Sequence, residues 1–176
     1  MIDQFLKFTD RTGKLTEGIA VVLLFGFCLL MLAEVLSRAL LRTSLAVSWE
    51  YSAFAMGAVF TFGFGPALAH GTHVRVALLL EQGGPNFRRA VDMAATGVAL
   101  ILSALMVVAF ATLFSTSLMR GIREASYMAT PLAVPQAFAV IGSIQFSLAL
   151  TARLIRLALR LPAETEPADP DAIHHA

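Results

Sequence analysis

Four stretches of this chain carry no charged residue, at positions 18–33, 51–69, 93–119 and 125–152, and each runs for sixteen residues or more. An α-helix rises 1.5 Å per residue, so about 20 residues cross a hydrocarbon core of about 30 Å. The spacing therefore predicts four membrane-spanning helices, at about 15–41, 48–70, 90–119 and 133–156. Composition agrees: 57% of the 176 residues are hydrophobic and only 14% are charged. A soluble domain carries about a quarter charged residues, so the deficit makes lipid the solvent for most of the chain.

The second stretch is the best marked. Trp49, Glu50 and Tyr51 open it, and His70-Gly71-Thr72-His73-Val74-Arg75-Val76 closes it. The two polar ends are dressed differently, as expected of a helix whose ends meet different water layers. Residues 1–17 are polar and of mixed sign, with Phe5, Leu6 and Phe8 giving a short interfacial segment before the first span. That flank is long and contains acids, and the apolar run has no A-x-A-like exit, so a retained first helix is expected rather than a cleaved signal peptide. Pro131 and Pro135 confine the fourth helix to roughly position 134 onwards.

Between the second and third spans, residues 74–83 are mostly apolar and too few to cross. A short amphipathic helix lying along the interface accounts for them, with Arg75 and Glu81 at headgroup level. Gly83-Gly84-Pro85-Asn86 then reads as a turn. From position 161 the chain turns to Pro, Glu and Asp, the composition of a disordered tail. The fold class expected is thus all-α and integral to the membrane: one domain over 1–160, four spans and one interfacial helix.

Lys and Arg in the flanks orient the spans. Lys7, Arg11, Lys14, Arg75, Arg88, Arg89, Arg153, Arg156 and Arg160 fall on one side, and Arg38, Arg42, Arg120 and Arg123 on the other. Nine against four places both termini and the middle loop in the cytoplasm. A net charge of +1 with no clustered basic patch gives no footprint for nucleic acid.

The chemistry-bearing residues are few. Glu34 and Arg38 are four apart, so they share a helix face and can pair, within the chain or between subunits. Glu34 lies near the outer boundary, too shallow for a proton-coupling carboxylate. Trp49 suits interfacial anchoring, Ser48 could cap the second helix, and Glu50 would sit near the positive end of its dipole; Glu50 contacting a partner is the other reading. Gly57, Gly63, Gly65 and Pro66 cluster in the inner half of the same helix, where small residues allow close helix approach. His70 and His73 are three apart, yet no second ligand group in the other spans completes a metal or haem site; a hydrogen-bonding role fits them better. Cys28, the one cysteine, reads as a small packing residue. Nothing resembles a nucleophile–base arrangement or a phosphate loop, so no enzyme activity and no cofactor is expected.

With those residues in place, the chain resembles the small membrane subunit of tripartite ATP-independent periplasmic (TRAP) transporters over most of 19–142. The resemblance rests on Trp49-Glu50 opening the second helix, Phe62-Gly63, His73-Val74-Arg75-Val76, Thr130-Pro131 with Pro135, and Gly142. The chain departs from the family pattern at Tyr51, Ala77 and Ile141. The resemblance implies a non-catalytic scaffold in a bacterial inner membrane. Its partners would be a large membrane subunit, which holds the sodium and substrate sites, a periplasmic solute-binding protein and the surrounding lipid. The imported solute would be an organic acid. Glu34, Arg38, Trp49 and Glu50 would then serve subunit contact or docking, and His73 and Arg75 would anchor the cytoplasmic end. Two rivals are a self-sufficient four-helix proton-coupled exporter, which needs a carboxylate at mid-depth, and a four-helix haem protein, which needs histidines on facing helices.

Overall fold

The computed structural model describes residues 2–70, 84–126 and 128–161. Four long helices fill them: α1 (Ile2–Leu36), continued by one wide π-helical turn (Ser37–Leu41), α2 (Ala46–Ala69), α3 (Pro85–Arg120) and α4 (Ala133–Ala158). Each is long and apolar enough to cross a membrane. The expected interfacial helix at 74–83 and the tail at 162–176, with His73 and Arg75, lie outside the described residues.

Two boundaries differ from expectation. The polar N-terminal flank is no separate interfacial piece, because α1 runs unbroken from Ile2. The buried positions of α1 and its π-helical continuation are 6, 9, 16, 20, 34 and 37, and half-buried 13, 23, 27 and 30 join them in alternating steps of three and four. That is the 3.5-residue repeat of left-handed helix packing, and it does not stop where the charges begin. Thr9 and Thr16 can sit on this seam because their hydroxyls donate to carbonyls of their own helix, Phe5 O at 3.0 Å and Gly13 O at 2.9 Å. The third helix also starts early. Pro85 and Asn86 belong to it rather than to a turn, since a proline at the first helical position gives up no needed hydrogen bond.

The helices do not close into a symmetric bundle. α2 packs along both α1 and α4, and α1 also leans on α4, so these three form the core. Among the described residues, α3 packs extensively against α4 alone. Contacts between α2 and α4 run in the same order along both helices (Phe62 with Phe138, Phe64 with Phe146), so the two are parallel, with α1 and α3 antiparallel to them. Only 6% of the most apolar stretch of α3 is buried, against 33% for α2. Val98, Ile101, Leu102, Leu105 and Val108 therefore face outwards.

Gly142 sets the α2–α4 crossing. A Cβ added there would lie 2.7 Å from the carbonyl carbon and Cβ of Thr61, closer than carbon atoms approach. The Thr61 hydroxyl is turned back to Gly57 O and Ala58 O at 3.1 Å each, which leaves the backbone of α2 flat against Gly142. A Cβ added at Gly65 would meet Gln145 and Ala149 at ordinary contact distance. A Cβ added at Gly57 or Gly63 would meet nothing within 4 Å, so among the described residues no other helix comes close to either position. Gly142→Ala should therefore destabilise the chain by about 1–3 kcal/mol, the usual cost of overpacking. Gly57→Ala should stay within about 0.5 kcal/mol of the wild type or above it, since alanine favours helix. Thermal melting of both variants in the same detergent checks the contrast.

Candidate functional site

The polar chemistry collects at the two ends of the bundle. At the end bearing the α1–α2 connection, the π-helical turn closes on Arg42, whose φ of 54° bends the chain back towards α2. The start of α2 then meets Glu34, one turn before the π-helical segment. Arg38 Nε donates to Glu34 Oε1 at 2.5 Å, as the four-residue spacing predicts. The same oxygen accepts from Ser44 Oγ at 2.7 Å, and Glu34 Oε2 accepts the Leu45 backbone N–H at 2.7 Å. Leu45 is the residue that opens α2. Glu34 of α1 thus does the capping work expected of Ser48. The Ser48 hydroxyl instead donates back to Leu45 O at 2.8 Å, inside the helix. A carboxylate suits this place, because the first N–H groups of a helix have no partner of their own and carry the positive end of its dipole.

Glu50 does a second clamping job at the same end. Ser126, in the α3–α4 connection, donates its hydroxyl to Glu50 Oε2 at 2.5 Å. Thr130 lies close to the same carboxylate, whose other oxygen, Oε1, is buried with no hydrogen-bond partner among the described residues. Glu124 N–H donates to Thr130 O at 2.9 Å and Leu132 N–H to Ile122 O at 3.1 Å, so the connection is folded on itself before Glu50 fixes it to α2. Both acids are withdrawn from water, each 5% exposed. Both oxygens of Glu34 and Oε2 of Glu50 are thus engaged inside the chain. Arg38, by contrast, has 66% of its side chain exposed, and Trp49 is 87% exposed.

At the end bearing both termini, three links were not foreseen. Arg156 Nη2 lies 2.7 Å from both carboxylate oxygens of Asp10, joining α4 to α1. Arg89, in the first turns of α3, donates from Nε to Leu157 O at 2.9 Å and from Nη2 to Ala158 O at 2.7 Å, supplying donors to the carbonyl end of α4. Gln145 is buried where α1, α2 and α4 meet, its amide 3.5 Å from Thr9 O and packed on Gly13 and Gly65. A glutamine isolated in an apolar run is the signal that could have marked it, since such residues tie helices together in lipid. His70 Nδ1 lies 3.0 Å from Pro66 O, the expected hydrogen-bonding role.

A cavity of about 80 Å³ opens among Gly13, Lys14, Pro66, His70, Gln145 and Arg153. Ligand pockets run to roughly 300–1,000 Å³, so this recess is sized for water rather than for a transported solute. Its walls come from the three core helices.

Residues 8–160 match the family model for tripartite ATP-independent periplasmic transporters, DctQ component. The chain belongs to that family. A comparison with curated proteins returns no match. As a DctQ component it is the small permease subunit of a TRAP transporter, a multi-pass protein of the inner membrane and part of a transport machine rather than an enzyme. Components of this family work with a large membrane subunit and a periplasmic binding protein.

Two tests follow from this geometry. Glu34→Ala should speed amide exchange in the first turn of α2 by about fivefold, the effect of a lost helix cap, while α4 is unaffected. Hydrogen–deuterium exchange resolved by segment reads this directly. Asp10→Arg alone should lower stability by about 1 kcal/mol, and Asp10→Arg with Arg156→Asp should recover most of it. Melting of the single and double variants checks the recovery.

Proposed function

We propose that this subunit is a fixed frame within the transporter, importing nothing by itself. The observation that carries this reading is the fate of the two buried carboxylates. Glu34 and Glu50 both lie at one end of the bundle, and both are committed to hydrogen bonds that hold α1, α2 and the α3–α4 connection together. A coupling carboxylate has to exchange its proton or cation during each cycle, and that would undo the joints of the frame. The exporter rival needs such a group at mid-depth, and both acids instead form joints at one end of the bundle. The haem rival needs facing histidines, whereas His70 is turned back on its own helix.

In this reading the outward faces of α1 and α3 widen the membrane footprint of the large subunit, and coupling, with sodium as the ion, belongs to that partner. The imported solute is an organic acid delivered by the periplasmic binding protein, as is common in the family. Both termini lie in the cytoplasm, supported by the nine-to-four excess of Lys and Arg at their end of the bundle. The opposite end then faces the periplasm with Arg38 and Trp49 accessible for contact with the large subunit or the binding protein, over the buried acids Glu34 and Glu50.

Trp49→Ala tests the assignment of that end. The side chain is so exposed that the isolated subunit should fold and melt as before. An interface tryptophan commonly carries 2 kcal/mol or more of binding, so solute uptake or complex assembly should fall by about tenfold or more. Solute binding to the purified periplasmic protein should not change. Normal uptake and assembly in this variant would remove Trp49 from the contact surface.

A further inference from the structure

We propose that the groove between the start of α3 and the end of α4 seats the phosphate of an anionic phospholipid. The groove is open, has a volume of about 310 Å³, and is lined by Asn86, Arg89, Leu157, Arg160 and Leu161. Two of these five residues are arginines, and among the described residues no carboxylate lines it. It lies at the end of the bundle with the greater share of Lys and Arg, just beyond the uncharged runs of both helices. Basic recesses between spans on that side are where anionic headgroups bind.

The two arginines are held there by the fold. Arg89 uses two of its five N–H donors on the carbonyls of Leu157 and Ala158, which fixes its guanidinium against the end of α4. Arg160 occupies the left-handed position just past α4, with φ 60°. Its N–H bonds to Leu157 O at 3.3 Å and that of Leu161 to Arg156 O at 2.9 Å, the double closure that ends many helices. Glycine is the usual residue at that position, and α3 ends with Gly121 at the same φ of 60°. An arginine there costs conformational energy that a glycine would not, and what it adds is a cation at the mouth of the groove. Leu157 and Leu161 supply an apolar floor beside the cations. A phosphate group alone has no use for that floor, whereas the glycerol and upper acyl carbons of a phospholipid do.

The test is native mass spectrometry of the full chain released from mild detergent micelles containing either phosphatidylglycerol or phosphatidylcholine. Wild type should retain phosphatidylglycerol in preference to phosphatidylcholine. Arg160→Gly, which keeps the turn and removes the charge, should melt no lower than wild type and retain about fivefold less phosphatidylglycerol, the effect of one basic residue at a membrane surface. Arg160→Gln should show the same loss, while Arg11→Gln, at the same end but outside the groove, should retain the lipid as wild type does. Equal retention of both lipids by wild type, or undiminished phosphatidylglycerol in the Arg160 variants, would overturn the proposal. Displacement of the lipid by inorganic phosphate would assign the groove to free phosphate and overturn it equally.

Discussion

A helix that ends near lipid exposes backbone donors or acceptors that nothing nearby will satisfy, and the structure of this subunit depends on how that demand is met. The start of α2 is supplied by Glu34 from α1, the end of α4 by Arg89 from α3, and the α3–α4 connection is fixed to α2 by Glu50. The signs follow the helix dipole, an acid at an N-terminus and a base at a C-terminus. In each case the supplying side chain comes from a different helix. The capping bonds are therefore also the tertiary bonds that fix helix order, and losing one loosens two elements at once.

Between the two ends the interior relies on shape. Hydroxyls on the helix seams are consumed by their own backbone, as with Thr9, Thr16, Thr61 and Ser103. They add little bulk, and Ser103 also accepts from Ser147 Oγ of α4 at 3.1 Å. The close contact of Gly142 with Thr61 and the seating of Gln145 between Gly13 and Gly65 hold α1, α2 and α4 in one arrangement. In the proposed reading as a frame, this packing is what would keep the subunit still beside its partner.

Much of this was legible in the sequence, because lipid imposes length and charge rules that a linear reading can apply. The uncharged runs gave four spans, and the spacing of Glu34 and Arg38 gave their pair. What stayed hidden depends on register between distant segments. Asp10 and Arg156 are ordinary flanking charges until α1 is seen to continue through Asp10 to Ile2, beside the end of α4. Gly57, Gly63 and Gly142 look alike as letters, and only the crossing of α2 and α4 separates the last from the other two. Ser48 sits where a cap is expected, yet the cap came from a residue fourteen positions earlier, on another helix. The seam of α1 was present as a three-four alternation, masked because its members include threonine, glycine and glutamate as well as leucine.

The attachment of α3 along one neighbour bears on how the chain is built during synthesis. α1 and α2 can join as a hairpin as soon as both have entered the bilayer. α3 has no extensive companion until α4 follows, so it must dwell in lipid as a solitary rod. Thr96 and Ser103 bond to Asp92 O at 2.7 Å and Leu100 O at 2.9 Å in their own helix, and need no second chain segment to be tolerated there. The seam that later receives α4 is thus already chemically quiet while it waits, and the last helix to emerge completes the subunit by joining the early hairpin to the waiting rod.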